Sequence, residues 1–325
     1  MQALLDIREL HTYFHTDEGV VKAVNGVSFS INRGETFGLV GESGSGKSVT
    51  ALSILGLVSF PGRIESGSLM FQGEELSSLS ENGMRRIRGN RIAMVFQEPM
   101  TSLNPVLTIE RQLTEAMEAH LGIGGRTARS KAVELLDRVG IPDPKQRMKD
   151  FPHMFSGGMR QRVMIAIALS CTPDLIIADE PTTAVDVTIQ AQILELMKDV
   201  TREANASLLI ISHDLGVVAR YADRVAIMYS GKIVEQAPVI KIFKRANHPY
   251  TRGLLKSIPR LDEPTRLVLE TIPGQPPDLT DLPLGCAFEE RCQFASAQCG
   301  IQVPPLMEVD QDHLSACWEF QAINQ

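Results

Sequence analysis

The segment Thr36–Ser48 constrains this chain more than any other. A short apolar run, Thr36-Phe-Gly-Leu-Val40, leads into Gly41-Glu-Ser-Gly-Ser-Gly-Lys-Ser48, and an apolar stretch, Val49–Leu57, follows. The first run reads as a buried strand and the last as a buried helix. The order strand, G-x-x-x-x-G-K-S, helix is that of a phosphate-binding loop. Each part has a physical task. Gly41, Gly44 and Gly46 open backbone angles closed to other residues and allow close approach to a ligand. Backbone amides along Ser43, Ser45 and the helix start at Val49 then point at an anion. Lys47 adds a compact positive charge for the β- and γ-phosphates, and Ser48 offers a hydroxyl to Mg²⁺, a hard ion that prefers oxygen. ATP with Mg²⁺ is the expected ligand. Kinases, GTPases and motor ATPases share such loops, so the reaction has to be read from the rest of the chain.

Three further apolar runs end in polar residues. Asp174-Leu-Ile-Ile-Ala-Asp-Glu180 is a strand closing on two acids. Asp179 suits Mg²⁺, and Glu180, one residue on, is placed to polarise an attacking water. Leu208-Leu-Ile-Ile-Ser-His213 puts His213 where it would sense the γ-phosphate and orient that water, and Ile92-Ala-Met-Val-Phe-Gln97 puts Gln97 within reach of Mg²⁺ or the water. Phe155-Ser-Gly-Gly-Met-Arg-Gln-Arg162 precedes the apolar helical run Val163–Leu169. Ser156, Gly157 and Gly158 therefore sit at a helix N-terminus, a second place where amides and the helix dipole attract an anion.

In this order, Gly41–Ser48, Gln97, Ser156-Gly157-Gly158, Asp179-Glu180 and His213 resemble the ATP-binding subunits of ABC transporters, over residues 4–240. Two departures are mild: Phe155 and Met159 stand where Leu and Gln are usual, and Thr183-Ala-Val-Asp186 stands where Ser-Ala-Leu-Asp is usual. The resemblance implies an α/β ATPase core with a mainly parallel sheet, an antiparallel N-terminal region and a helical insert at 98–170. Helices are expected there at Arg111–His120 and Thr127–Val139 from their apolar spacing. It also implies a head-to-tail pair with a second, similar ATPase chain, Thr183–Asp186 at the seam, and each ATP shared with the partner's Ser-Gly-Gly segment. An aromatic near the N-terminus would stack on adenine. Phe14 is the first choice and Tyr13 the second, and either also fits as a packed strand residue.

Composition narrows the rest. A net charge of −7 argues against a surface built to neutralise nucleic acid, and the basic run Arg85–Arg91 reads as a solvated face. No stretch approaches the roughly 20 apolar residues of a membrane span, and no secretory signal is seen. The resemblance implies a place at the cytoplasmic face of the inner membrane, held there by two permease chains, with an external binding protein delivering cargo. A soluble, non-transport ABC ATPase is the alternative, although neither a second cassette nor a long coiled coil is present.

From about Ile240 prolines accumulate, at 249, 259, 264, 273, 276, 277, 283, 304 and 305, and a loop-rich extension over 241–325 is expected after a nucleotide-binding domain over 1–240. The phrases His248-Pro-Tyr-Thr251, Gly285-Cys286 and Arg291-Cys292 resemble the C-terminal extension of the oligopeptide and dipeptide importers, the dipeptide branch above all. Peptide is therefore the implied cargo, with nickel or another small solute as the alternative. Cys171 reads as buried packing. Cys286, Cys292, Cys299 and Cys317 form C-x₅-C-x₆-C-x₁₇-C, enough thiolates for one [4Fe–4S] cluster or one zinc, while C-x₂-C pairs usual for zinc are missing. Some members of this subfamily resemble iron–sulfur proteins here, so the cluster is the expectation, with zinc and unliganded thiols as alternatives.

Overall fold

The computed structural model describes residues 3–98, 102–181, 187–258 and 272–324. Thr183–Asp186 and the prolines at 259 and 264 lie outside the described residues. In chain order the strands are β1 (Leu5–Thr16), β2 (Gly19–Ile31), β3 (Thr36–Val40), β4 (Gly62–Phe71), β5 (Glu74–Glu75), β6 (Ile92–Val95), β7 (Leu175–Asp179), β8 (Ser207–Ser212), β9 (Arg224–Tyr229), β10 (Lys232–Pro238), β11 (Met307–Asp310) and β12 (His313–Ser315). The chain forms two compact units. One gathers Ile31–Thr36 and Ser78–Ile210, the other Gln2–Ser30, Phe37–Ser77 and Ile211–Gln325.

The second unit contains an antiparallel region ordered β2-β1-β4-β5. In β1 Leu5, Ile7, Leu10 and Thr12 are buried; the alternation skips a residue where the β1–β4 register shifts between Arg8 and His11 and Glu9 takes a φ of 45°. By contrast β3 is buried at every residue and runs parallel to β9, Phe37–Val40 against Arg224–Ile227. Such continuous apolar runs are the mark of strands covered on both faces. β10 then pairs antiparallel with β9, β12 with β10, and β11 with β12. The tail is thus not purely an appendage of loops, because two short strands of it extend this sheet from the β10 edge. The helix Pro249–Lys256 starts at the fully buried His248, whose Nδ1 accepts from the Tyr250 amide at 3.1 Å; burial pushes the imidazole down to about 3, so it stays neutral.

The first unit contains β6 and β7, paired in parallel from Ile92/Leu175 to Val95/Ala178, with helices around them. The expected strand over Ile92–Gln97 stops at Val95, which leaves Gln97 in a bend. Helix Ile109–Leu121 begins where Thr108 Oγ1 accepts from the Arg111 amide, and it buries Ile109, Leu113 and Met117 on one stripe. Gly125–Arg138 follows with Ala128, Ala132 and Leu135 inward. Both lie within two residues of the spans expected from sequence. Helix Gly157–Leu169 is buried around most of its circumference in its second half, Val163–Leu169, as that unbroken apolar run requires. The basic run lies on and just after helix Glu81–Ile87, with Arg85 and Arg86 exposed and Arg88 on Glu81 at 2.6 Å, a solvated and ion-paired face.

Candidate functional site

In the second unit the loop after β3 curls into helix Lys47–Ile54, which begins two residues earlier than the apolar pattern indicates. Two glycines have specific reasons. A Cβ at Gly41 would lie 2.1 Å from the Met228 carbonyl oxygen, so this strand end presses directly on β9. At Gly46 φ is +104° and a Cβ would lie 2.1 Å from the Ala23 carbonyl oxygen. Lys47 is 4% exposed, and its ammonium donates to the carbonyls of Gly41 (2.8 Å) and Glu42 (2.9 Å). The cation thus sits inside the loop that carries it and clasps the curl. Ser43 and Gly44 are exposed at the loop tip, while Ser45 is buried and Ser48 and Val49 are half-buried on the first helical turn. This is the cradle a polyphosphate needs: amides, a helix N-terminus and one fixed cation.

His213 is exposed directly after β8, in the same unit. The next residue, Asp214, caps helix Leu215–Tyr221, its Oδ1 accepting from the amides of Gly216 (2.8 Å) and Val217 (3.1 Å). Phe14 is half-buried on β1 opposite Gly62; its ring covers that glycine, where a Cβ would meet Phe14 Cε1 at 2.5 Å. Tyr13 is engaged internally, donating to Asn25 Oδ1 at 2.9 Å with His11 Nδ1 at 3.0 Å.

In the first unit Asp179 is the last residue of β7 and only 6% exposed. Glu180 turns out of the strand with φ of +44°, a left-handed conformation that costs a non-glycine residue about 1–3 kcal/mol and tends to occur where a side chain must be aimed. Its Oε2 accepts from Gln97 Nε2 at 3.1 Å, so two residues 83 apart in sequence meet at the ends of adjacent parallel strands. Ser156 is the N-cap of helix Gly157–Leu169, accepting from the Met159 amide at 3.3 Å; Ser156 and Gly157 are exposed, and a Cβ at Gly157 would touch nothing within 4 Å. The exposed helix start expected of an anion site is therefore present.

Cys286, Cys292, Cys299 and Cys317 carry free thiols and line one small cavity with His248, Phe288, Phe294 and Trp318. Burial pushes Cys286 up to about 11 and Cys317 up to about 12, and the neighbouring thiols act in the same direction. Among the described residues no three His, Cys, Asp or Glu side chains are arranged to hold a metal ion. The metal expected at the four cysteines is to that extent unsupported, and zinc least of all, since it needs its thiolates converging at about 2.3 Å on one point.

A strand-embedded phosphate loop, an acid pair at a strand end and a Ser-Gly-Gly helix start define an ABC-type ATPase cassette. The ABC transporter family matches residues 24–183, and the C-terminal region of the oligopeptide/dipeptide transporter family matches residues 234–299. A putative peptide import ATP-binding protein of Brucella melitensis is 53% identical over 99% of this chain and 98% of its own. The oligopeptide transport ATP-binding proteins AppD of Bacillus subtilis (52% identical; 99% of this chain, 98% of its own) and OppD of Haemophilus influenzae (50%; 98% of each) are similar throughout. Among solved structures, the dimeric bacterial ABC transporter cassette MJ0796 superposes with a TM-score of 0.65 at 26% identity, over 72% of this chain and 98% of that one. The chain belongs to the ABC transporter ATP-binding proteins of the oligopeptide/dipeptide branch, and it is an ATPase subunit.

The sequence reading found the loop, the acids and the helix start through their local spacing. It did not single out Glu42, Tyr250 or Glu235, whose partners are remote in sequence and leave no local signal.

Proposed function

We propose that this chain hydrolyses ATP to drive import of peptides through a membrane permease pair. Peptide cargo rests on the names of its relatives and on the matching C-terminal region. The observation that carries the hydrolytic reading is the Glu180 carboxylate, turned out of β7 by a left-handed backbone and hydrogen-bonded to Gln97. Lys47 and the loop amides, with Ser43, Gly44 and Ser45 at the tip, hold the triphosphate. Glu180 takes a proton from water as its oxygen attacks the γ-phosphorus; the bond to the β,γ-bridging oxygen breaks and ADP leaves. His213 orients the same water. Ser48, Asp179 and Gln97 would hold Mg²⁺ through oxygen, and the ion, when bound, would neutralise charge on the phosphates. Phe14 stacks on adenine from β1.

ATP closes two such cassettes head to tail, with Ser156, Gly157 and Gly158 of one chain meeting the nucleotide of the other; exposure of that helix start and the dimeric form of MJ0796 support this. The partner is a second, similar ATPase chain. No helix among the described residues is long and apolar enough to cross a membrane, so two permease chains would hold the protein at the cytoplasmic face and an external binding protein would supply cargo. Exposed Val106, Met154 and Phe96 in the helical unit suit contact with those permeases. The nucleotide-binding domain spans 1–240, with its helical subdomain at 98–170, and the extension spans 241–325; the ABC transporter match at 24–183 lies inside the former, and the start of the C-terminal-region match at 234 supports a boundary near 240. The extension's four cysteines match a [4Fe–4S] cluster in number and in thiol chemistry, and all four line one small cavity. Such a cluster, when bound, supplies a structural clasp or a redox-sensitive group. Anaerobic purification should give protein with stoichiometric iron and sulfide, and colourless, iron-free protein would remove the cluster. For the main reading, vesicles holding the assembled complex should accumulate labelled dipeptide only with ATP inside the nucleotide-accessible face, and ATP-independent uptake would refute it.

A further inference from the structure

Glu42, the second residue of the phosphate loop, is held by residues far outside it. Arg291 ends a single turn of 3₁₀ helix, Glu289–Arg291, immediately before Cys292. Its guanidinium forks onto the Glu42 carboxylate, Nη1 to Oε2 at 2.8 Å and Nη2 to Oε1 at 3.0 Å, and the arginine side chain is only 6% exposed. Nη1 also reaches the Tyr229 hydroxyl at 3.2 Å, Nε donates to the Pro273 carbonyl at 2.9 Å, and the group lies 5.7 Å from the ring centres of both Tyr229 and Phe288. The fork is therefore aimed from every side before any nucleotide arrives. The Glu42 amide is fixed separately, donating to the Tyr250 hydroxyl at 2.8 Å. The Glu42 carbonyl in turn accepts from Lys47 Nζ and from the Ser45 amide at 3.2 Å. All three polar groups of Glu42 are thus engaged, two of them by the segment that follows β10.

An acid inside a phosphate-binding loop is electrostatically unfavourable unless a cation cancels it. A bidentate arginine does this and also fixes orientation, which a lysine does not. We propose that Arg291 is a positioning residue for the phosphate loop: by gripping Glu42 it neutralises the loop's acid and holds the curl that presents Lys47 and the amides to a polyphosphate. Nucleotide affinity then depends on the cysteine-bearing C-terminal segment through one ion pair. This rests on reading Gly41–Ser48 as the nucleotide site.

The test is a titration of the full-length chain with a fluorescent ATP analogue, with steady-state hydrolysis and melting temperature alongside. Losing a charged, bidentate contact of this kind is worth about tenfold in dissociation constant. Arg291→Ala should show that loss and a matching rise in KM, with kcat at saturating ATP retained. Arg291→Lys, which keeps charge but not the fork, should fall between. In a Glu42→Gln background the further change Arg291→Ala should add little, because the pair acts as a unit. Lys47→Ala separates the two readings: unchanged affinity in that variant would undo the nucleotide site itself. If Lys47→Ala loses binding while Arg291→Ala binds like wild type, or if the Arg291 and Glu42 effects simply add, the positioning role is overturned. A fall in melting temperature and kcat with affinity unchanged would likewise overturn it. Should Arg291→Ala fail to fold, Arg291→Lys and Glu42→Gln complete the same cycle.

Discussion

Replacing Glu235 with alanine tests how the C-terminal segment is fastened to the core. Glu235 lies on β10 and is wholly buried. Its carboxylate accepts from the Asn247 amide at 2.6 Å, the His248 amide at 3.1 Å and His313 Nε2 at 2.7 Å. One side chain thus joins β10 to the start of helix Pro249–Lys256 and to β12, where His313 is 2% exposed. Truncation strands three donors away from water, at about 1–3 kcal/mol each. Water entering the vacated space offsets part of this, so a loss of about 3–5 kcal/mol is expected. Melting should fall by roughly 2–4 °C per kcal/mol for a domain of this size, hence about 6–12 °C at the lower bound. Calorimetry or circular dichroism of the full chain measures it. Glu235→Gln keeps one acceptor oxygen and should lose about half as much. A shift under about 2 °C for Glu235→Ala, corresponding to less than about 1 kcal/mol, would refute the view that this buried carboxylate is the fastening.

Glu180→Gln should keep ATP binding and lower hydrolysis by about 10²–10⁴-fold; a phosphate-release assay at wild-type rate would remove Glu180 as the base. Lys47→Ala should weaken ATP binding by roughly 10–100-fold, since a charged donor is lost and the loop's own clasp with it, and calorimetry with unchanged affinity would contradict this. Gly46→Ala should abolish nucleotide binding outright, because φ of +104° and the Ala23 carbonyl leave no room for a Cβ; normal ATP affinity would show that the loop relaxes elsewhere. Ser156→Ala should cost about 1 kcal/mol through the lost N-cap, and an unchanged denaturation midpoint would mean that the cap is dispensable.

The amino-acid sequence by itself determined the parts whose chemistry is local. Gly41–Ser48 needs its glycines, lysine and serine within eight positions, so the motif and the strand and helix around it were legible at once. Asp179 and Glu180 were legible because an apolar run ends on them, and Ser156 because a cap precedes an apolar helix. Strand and helix ends slipped by two residues at Gln97 and Lys47, where hydrogen bonding and not hydropathy sets the boundary. Only the tertiary structure decided what depends on distant residues. β11 and β12, four and three residues long, are too short to carry a period, and it takes β10 to make them strands. The meeting of Gln97 with Glu180 follows from parallel pairing of β6 with β7. The grip of Arg291 on Glu42 spans 249 positions, and no spacing rule reaches that far: a charge pair of this kind exists only once the fold has excluded water from around it.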